Sequence, residues 1–186
     1  MINPTGYWSS EEASNFHIHS QSLSNFICDY LKEDKSIPIY DFGCGMGKYL
    51  KDLCADGYTN IFGIEPDAPD KSITEFKIYD FDLTTDFTIV PKGHVICLEV
   101  GEHIPPQHTK QFLDNIDKAC GNHLILSWAI KGQGGTGHFN ELNNDEVIPM
   151  FEAMGFGFLQ QDSLMARGVI EDHCAYFKNT IMIFKR

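Results

Sequence analysis

Short, continuously apolar runs alternate with segments of helical period along most of this chain, and no other feature constrains its fold as much. The runs lie at 37–42, 60–64, 76–79 (the weakest), 94–98 and 123–129, with two closing candidates at 156–160 and 179–184. Phe16, Leu23, Phe26, Ile27 and Leu31 recur at helical spacing and predict an amphipathic helix over 12–33. A second helix is expected over 48–56, stopped by Gly57. A third opens at Pro106 and carries Phe112, Leu113, Ile116 and Ala119; a fourth spans 145–154 with Val147, Ile148, Phe151 and Met154, and Gly155 ends it. Unbroken apolar strands between helices imply an α/β protein whose parallel sheet is covered on both faces. Right-handed crossovers make such a sheet doubly wound. Ligands then bind at the carboxyl ends of the strands, near the point where strand order reverses. The residues just after each strand are therefore the ones to read for chemistry.

Composition narrows the partners. The 186 residues are expected to form one domain, with a helical cap over 1–34 and an α/β core over 35–186. Lys and Arg number 14 against 26 Asp and Glu, a net charge of −12, which disfavours a grip on long nucleic acid because such binding needs a basic face. No apolar run of about 20 residues exists to span a membrane. Met1–Trp8 has neither the basic start nor the apolar core of a secretion signal. The six cysteines form no CxxC pair, and read as reduced thiols of a cytoplasmic protein.

The first strand runs into Asp41-Phe42-Gly43-Cys44-Gly45-Met46-Gly47-Lys48. Three alternate glycines let a ligand approach the backbone and permit a left-handed turn into the next helix. The dinucleotide fingerprint GxGxxG needs a further glycine where Lys48 or Leu50 stands, and the phosphate loop GxxxxGK[ST] needs glycine and Ser/Thr where Phe42 and Tyr49 stand. A nicotinamide-dependent oxidoreductase is thereby disfavoured. Asp41 would repel phosphate and welcome an ammonium group. Glu65-Pro66, after the second strand, offers a carboxylate to a ribose diol. Asp82-Leu83, after the third, offers an acceptor for an exocyclic amine beside apolar walls, with Asp80 as its rival. The ligand so described is a nucleoside with an amino-acid tail and little phosphate, which fits S-adenosyl-L-methionine.

These segments, together with Cys97-Leu98-Glu99-Val100-Gly101-Glu102-His103-Ile104-Pro105, resemble the ordered motifs of class I S-adenosylmethionine-dependent methyltransferases over residues 37–184. The resemblance implies a Rossmann-like, doubly wound, seven-stranded sheet, mostly parallel with an antiparallel last strand. It implies that Asp41 and the loop of Gly43, Cys44, Gly45 and Gly47 hold the methionine end. Glu65 and Pro66 would hold the ribose, Asp82 the adenine amine, Leu83 or Phe81 a face of the ring, and Leu98 and Glu99 the floor near the methyl group. The segment between Glu65 and Phe76, with Pro66 and Pro69, leaves room for only a stunted helix.

The expected reaction is direct displacement on the sulfonium methyl by an O or N nucleophile of a small-molecule or peptide-sized acceptor. Positioning supplies most of the barrier reduction. His103 or His138 is the candidate base where the nucleophile must lose a proton. The ExxEH spacing of Glu99, Glu102 and His103 also resembles metal-dependent O-methyltransferases that act on small-RNA ends or quinone-like phenols, with His138 as a fourth ligand. The working expectation nevertheless assigns no metal. His17 is read as a substrate contact or a surface residue on the first helix. The glycine-rich 132–137 loop after the fifth strand is read as a mobile lid. A protein that binds the cofactor without transferring methyl is the alternative of another class.

Overall fold

The computed structural model describes residues 4–8, 17–67, 76–89 and 91–186. Its seven strands are β1 (Ile39–Phe42), β2 (Ile61–Ile64), β3 (Lys77–Tyr79), β4 (Gly93–Cys97), β5 (Cys120–Leu126), β6 (Gly157–Phe158) and β7 (Met182–Lys185). They form one sheet in the order β3-β2-β1-β4-β5-β7-β6. Strands β1 to β5 are parallel, and β7 lies antiparallel between β5 and β6. This is the doubly wound, mostly parallel sheet with an antiparallel last strand that the alternation and the resemblance implied. Strand order reverses between β1 and β4, which places the crevice at their carboxyl ends.

Side-chain alternation along the strands builds two cores. Tyr40, Phe42, Val95, Cys97, Leu124, Leu126, Met182 and Phe184 face one layer, formed by α3 (Thr109–Ala119) and α4 (Asn144–Ala153), whose Phe112, Ile116, Val147 and Phe151 are fully buried. Ile39, Ile96, Ile125 and Ile183 face the other, where α1 (Gln21–Tyr30) and α2 (Lys48–Ala55) contribute Leu23, Ile27, Leu50 and Leu53. Each such side chain contributes about 1.5–3 kcal/mol on burial. Two elements on this second face carry no legible period. These are α5 (Gln160–Gly168), which buries Ser163 and Ala166 but exposes Leu164 and Met165, and the single turn α6 (Phe177–Thr180).

Several boundaries differ from the sequence expectation. The first helix begins at Gln21, because Ser20 caps it by accepting from the Leu23 amide at 3.1 Å. His17–Ser20 is extended, so His17 and His19 are not helical, and residues 12–16 lie outside the described residues. The fifth strand covers 120–126 rather than 123–129. Its successor covers only 157–158, and the last begins at Met182 because 177–180 coils into α6. The helix expected at Pro106 starts as a 3-10 turn over Pro106–His108 before α3. The stunted helix expected before Phe76 falls largely on 68–75, outside the described residues.

Candidate functional site

A cavity of about 490 Å³ opens at the carboxyl ends of β1, β2 and β4. Asp41, Gly43, Cys44, Glu65, Pro66, Asp82, Leu83, Leu98, Glu99, His103 and His138 all line it. Eleven residues drawn from six chain segments thus meet at one place. Gly45 and Gly47 do not line the cavity; they serve the turn beneath it. Both have positive φ, 51° and 69°, and a Cβ on Gly45 would stand 2.0 Å from the His17 ring, one on Gly47 2.6 Å from Phe76. Gly47 also starts α2 in the left-handed conformation, which any other residue would adopt only at a cost.

The glycine turn has few amides left for a phosphate. Gly43 and Cys44 donate to Ile64 O at 2.8 and 3.3 Å, Gly47 donates to Cys44 O at 2.8 Å, and Gly45 donates to Glu65 Oε2 at 2.7 Å. A pyrophosphate needs free N–H groups at such a turn. Here four are spoken for, one of them by a carboxylate.

Two acids frame this end. Asp41 is 3% exposed, Oδ2 has no donor among the described residues, and burial pushes its carboxyl up to about 7. Burial likewise pushes Glu65 up to about 8, against the lowering effect of the Gly45 amide. Asp82 Oδ1 is committed to its own turn, accepting from Thr84 N at 2.9 Å and Thr84 Oγ1 at 2.7 Å. Cys44, in the cavity wall, has its thiol pushed well up by burial, which keeps it protonated and unreactive.

The other end is histidine and carboxylate. Glu99 holds φ 53°, a left-handed conformation that costs a non-glycine residue on the order of 1–2 kcal/mol. Its amide donates to Ser127 Oγ at 2.7 Å, and its Oε2 accepts from Gln133 Nε2 at 2.7 Å. Glu102 is fully buried, with no donor in good hydrogen-bond geometry to either carboxylate oxygen among the described residues; burial, then the Glu99 charge, raises it far above the usual carboxylate range, against the lowering effect of the nearby Glu102 and Ala129 amides. The Glu102 carbonyl accepts from Phe139 N at 2.8 Å and Asn140 N at 3.0 Å, which stitches the loop after β5 to this turn.

That stitching brings His138 to His103, ring centroids 4.9 Å apart and edge-on. His103 Nδ1 lies 3.1 Å from Gly137 O, an acceptor only, so Nδ1 carries the proton and Nε2 is left with its lone pair. Burial, then the His138 ring, lowers His103 to about 4, so the ring is neutral at physiological pH. Glu102, His103 and His138 each offer a ligand atom, and the three atoms lie within 4.8 Å of one another.

Sequence reasoning missed the roof. Trp8 packs against His17 at 5.6 Å and edge-on to His103 at 5.2 Å, and Tyr7 and Tyr49 line the same cavity. An aromatic pair, Tyr7-Trp8, outside any periodic segment was the available signal. Lys48 Nζ donates to His17 O at 2.8 Å and holds His17 over the turn. The 132–137 loop, expected as a mobile lid, is tied down by hydrogen bonds from Gly132, Gly134 and Gln133.

The raised acids set a pH dependence for the ligand-free protein. Glu65 (4.5 to about 8) and Asp41 (3.8 to about 7) bind protons in the folded state that the unfolded chain has released. Stability from these groups is complete below the unfolded values and is lost as pH rises through 7 and 8. His103 and His94, both lowered to about 4, work oppositely, but only below the ordinary value of 6.5. The melting temperature should therefore fall between pH 6.5 and about 8.5, and Glu65→Gln should flatten that fall. Scanning calorimetry across that range checks it; a rising curve contradicts the burial of these acids.

No family model and no curated protein sequence matches the chain. Solved structures do. The magnesium protoporphyrin IX methyltransferase of Synechocystis PCC 6803, crystallised with bound SAH, superposes with a TM-score of 0.65 at 20% identity, covering 89% of this chain and 82% of that one. The methyltransferase domain of a bacterial Hen1 (CtHen1-CN) gives 0.61 at 18% identity over 89% and 98%. The [4+2]-cyclase SpnF gives 0.62 at 11% identity over 88% and 80%. Similarity at this level establishes architecture, and one of the three is named for a reaction other than methyl transfer. Strand order and these superpositions together show that the chain shares the Rossmann-like, doubly wound fold of these solved structures.

Proposed function

We propose that this protein is an S-adenosyl-L-methionine-dependent methyltransferase acting on a small-molecule or peptide-sized acceptor. The observation that carries the reading is the placement of Asp41, Glu65 and Asp82, each at the end of a successive strand, along a single cavity whose glycine turn has its amides committed to protein acceptors. Asp41 suits the ammonium of the methionine end, Glu65 the ribose diol, Asp82 and Leu83 the adenine, and Leu98 and Glu99 the floor beneath the methyl group. Methyl transfer neutralises the sulfonium, so no oxyanion site is required. His103 and His138 stand at the far end, each with Nδ1 turned to a protein acceptor, which leaves Nε2 as the atom to take a proton from an acceptor hydroxyl or ammonium.

Thermal shift separates the cofactor classes. S-adenosylhomocysteine at about 100 times its Kd should add roughly 2.7 kcal/mol of stability, and NAD should add none. Stabilisation by NAD alone would end this reading. A protein that holds the cofactor without using it would show the same shift, but would form no S-adenosylhomocysteine from S-adenosylmethionine with any acceptor pool.

A second reading rests on Glu102, His103 and His138. A buried carboxylate with no donor beside two imidazoles is the donor set of a divalent cation that takes mixed O and N ligands. The residues fit such a metal, and Glu102 Oε and the two Nε2 atoms would hold it. Glu99 stands outside this set, its Oε2 already engaged by Gln133. A bound cation would lower the pKa of an acceptor hydroxyl. The acceptor would then be an alcohol or phenol, and transfer would go to oxygen.

A further inference from the structure

One carboxylate outside the cavity lining organises this end of the site. Glu141 Oε2 accepts from Gly132 N at 2.8 Å, and its Oε1 accepts from Gly134 N at 2.7 Å. Oε1 also lies 3.0 Å from His138 Nδ1. Both Glu141 oxygens accept backbone amides, so the one that faces His138 acts as an acceptor there too, and His138 carries a proton on Nδ1. The glycines it holds have φ of 87° and 70°, a conformation with no strong intrinsic preference to persist. Between them sits Gln133, which donates to Glu99. Just beyond, the Gly135 backbone passes so close under the His138 ring that a Cβ there would stand 2.3 Å from Nε2.

We propose that Glu141 is a positioning residue that makes closure of the 132–137 loop, delivery of Gln133 to Glu99, and presentation of His138 Nε2 to Glu102 and His103 a single event. Its value to the site rests on the function proposed above; the coupling itself does not. A loop built from four glycines in six residues has a large conformational entropy to lose on closing. Three groups on one half-buried carboxylate hold it in a single closed state. A carboxylate that holds a ligand or base imidazole by its second nitrogen also sets that ring's orientation and tautomer.

The test needs neither cofactor nor metal. In protein labelled with nitrogen-15 at histidine, at about pH 8 where unperturbed imidazoles are neutral, His138 should give the Nδ1–H signature. Glu141→Ala should move it to a mixture of tautomers and should make the Gly132 and Gly134 amides exchange about tenfold faster, the loss of a bond to a charged acceptor. Amides of β1, β4 and β5 should keep their protection, which separates this from general unfolding. Glu141→Gln retains one acceptor oxygen and should restore the Nδ1–H form while recovering only part of the amide protection. An Nε2–H signature in the unaltered protein, or an unchanged tautomer and unchanged exchange in Glu141→Ala, overturns the proposal. Failure of the methyltransferase reading would leave all these signals as described and appear only as absent S-adenosylhomocysteine binding, or as no S-adenosylhomocysteine formed from S-adenosylmethionine.

Discussion

Replacing Glu65 by Ala is expected to weaken S-adenosylhomocysteine binding by more than about tenfold, since each hydrogen bond to a charged acceptor contributes about 1.5–3 kcal/mol and a ribose diol offers two. The size follows from where the side chain sits. Glu65 is 7% exposed, and its Oε2 is already fixed by the Gly45 amide, so the carboxylate is held in place before any ligand arrives. The effect should also depend on pH. In the ligand-free protein this acid titrates at about 8, and only the ionised form accepts both hydroxyls. Binding therefore strengthens as pH rises from about 6.5 toward 8 and levels off above it, the sign required when the ligand selects the deprotonated form. Glu65→Gln keeps an acceptor for Gly45 N and should fold normally, but should bind weakly with no such rise. Calorimetric titration at several pH values decides it. Unchanged affinity in Glu65→Ala would remove this residue from the cofactor site.

The second large effect concerns Glu102. Its carboxylate is fully buried beside the Glu99 carboxyl, with no donor in good hydrogen-bond geometry among the described residues, and a buried polar group so weakly held costs free energy. Glu102→Gln removes the capacity for charge with little change in volume, and should leave the melting temperature equal or higher. The same change should weaken Mn²⁺ binding by at least about a hundredfold, since even outer-shell partners of a metal cost about 10–100-fold when removed. S-adenosylhomocysteine affinity should stay within about twofold, because Glu102 lies at the histidine end. Electron paramagnetic resonance of Mn²⁺ against protein concentration reads the first, calorimetry the second. Equal Mn²⁺ binding in both proteins would retire the metal-assisted reading. A loss of stability in Glu102→Gln would instead mean that the acid is structural.

Much of the architecture was legible because periodicity reports burial. Tyr40, Phe42, Val95 and Leu124 lie in unbroken apolar runs since both faces of their strands are covered, and that pattern admits few arrangements other than a parallel sheet. The cavity-lining acids were legible for a related reason. Asp41 sits near the carboxyl end of β1, Glu65 and Asp82 follow β2 and β3, and in a doubly wound sheet strand ends converge. What escaped was whatever has no period of its own. Helix α5 exposes Leu164 and Met165 and buries small residues, so its sequence carries no apolar stripe. His17 looked helical because Phe16 and Leu23 extend the spacing of α1, while the Ser20 cap, a single hydroxyl, sets the boundary after it.

Linear order thus carried the class of fold and the identity of the residues that meet at the strand ends, because those follow from local burial and from a topology with few alternatives. Tertiary packing alone decided that Gly45 and Gly47 serve a turn rather than the cavity, that Trp8 roofs His103, and that Glu141 commands a loop and a histidine at once. Those relations join segments far apart in the chain through single hydrogen bonds and ring contacts, and such contacts leave no periodic trace in the order of the residues.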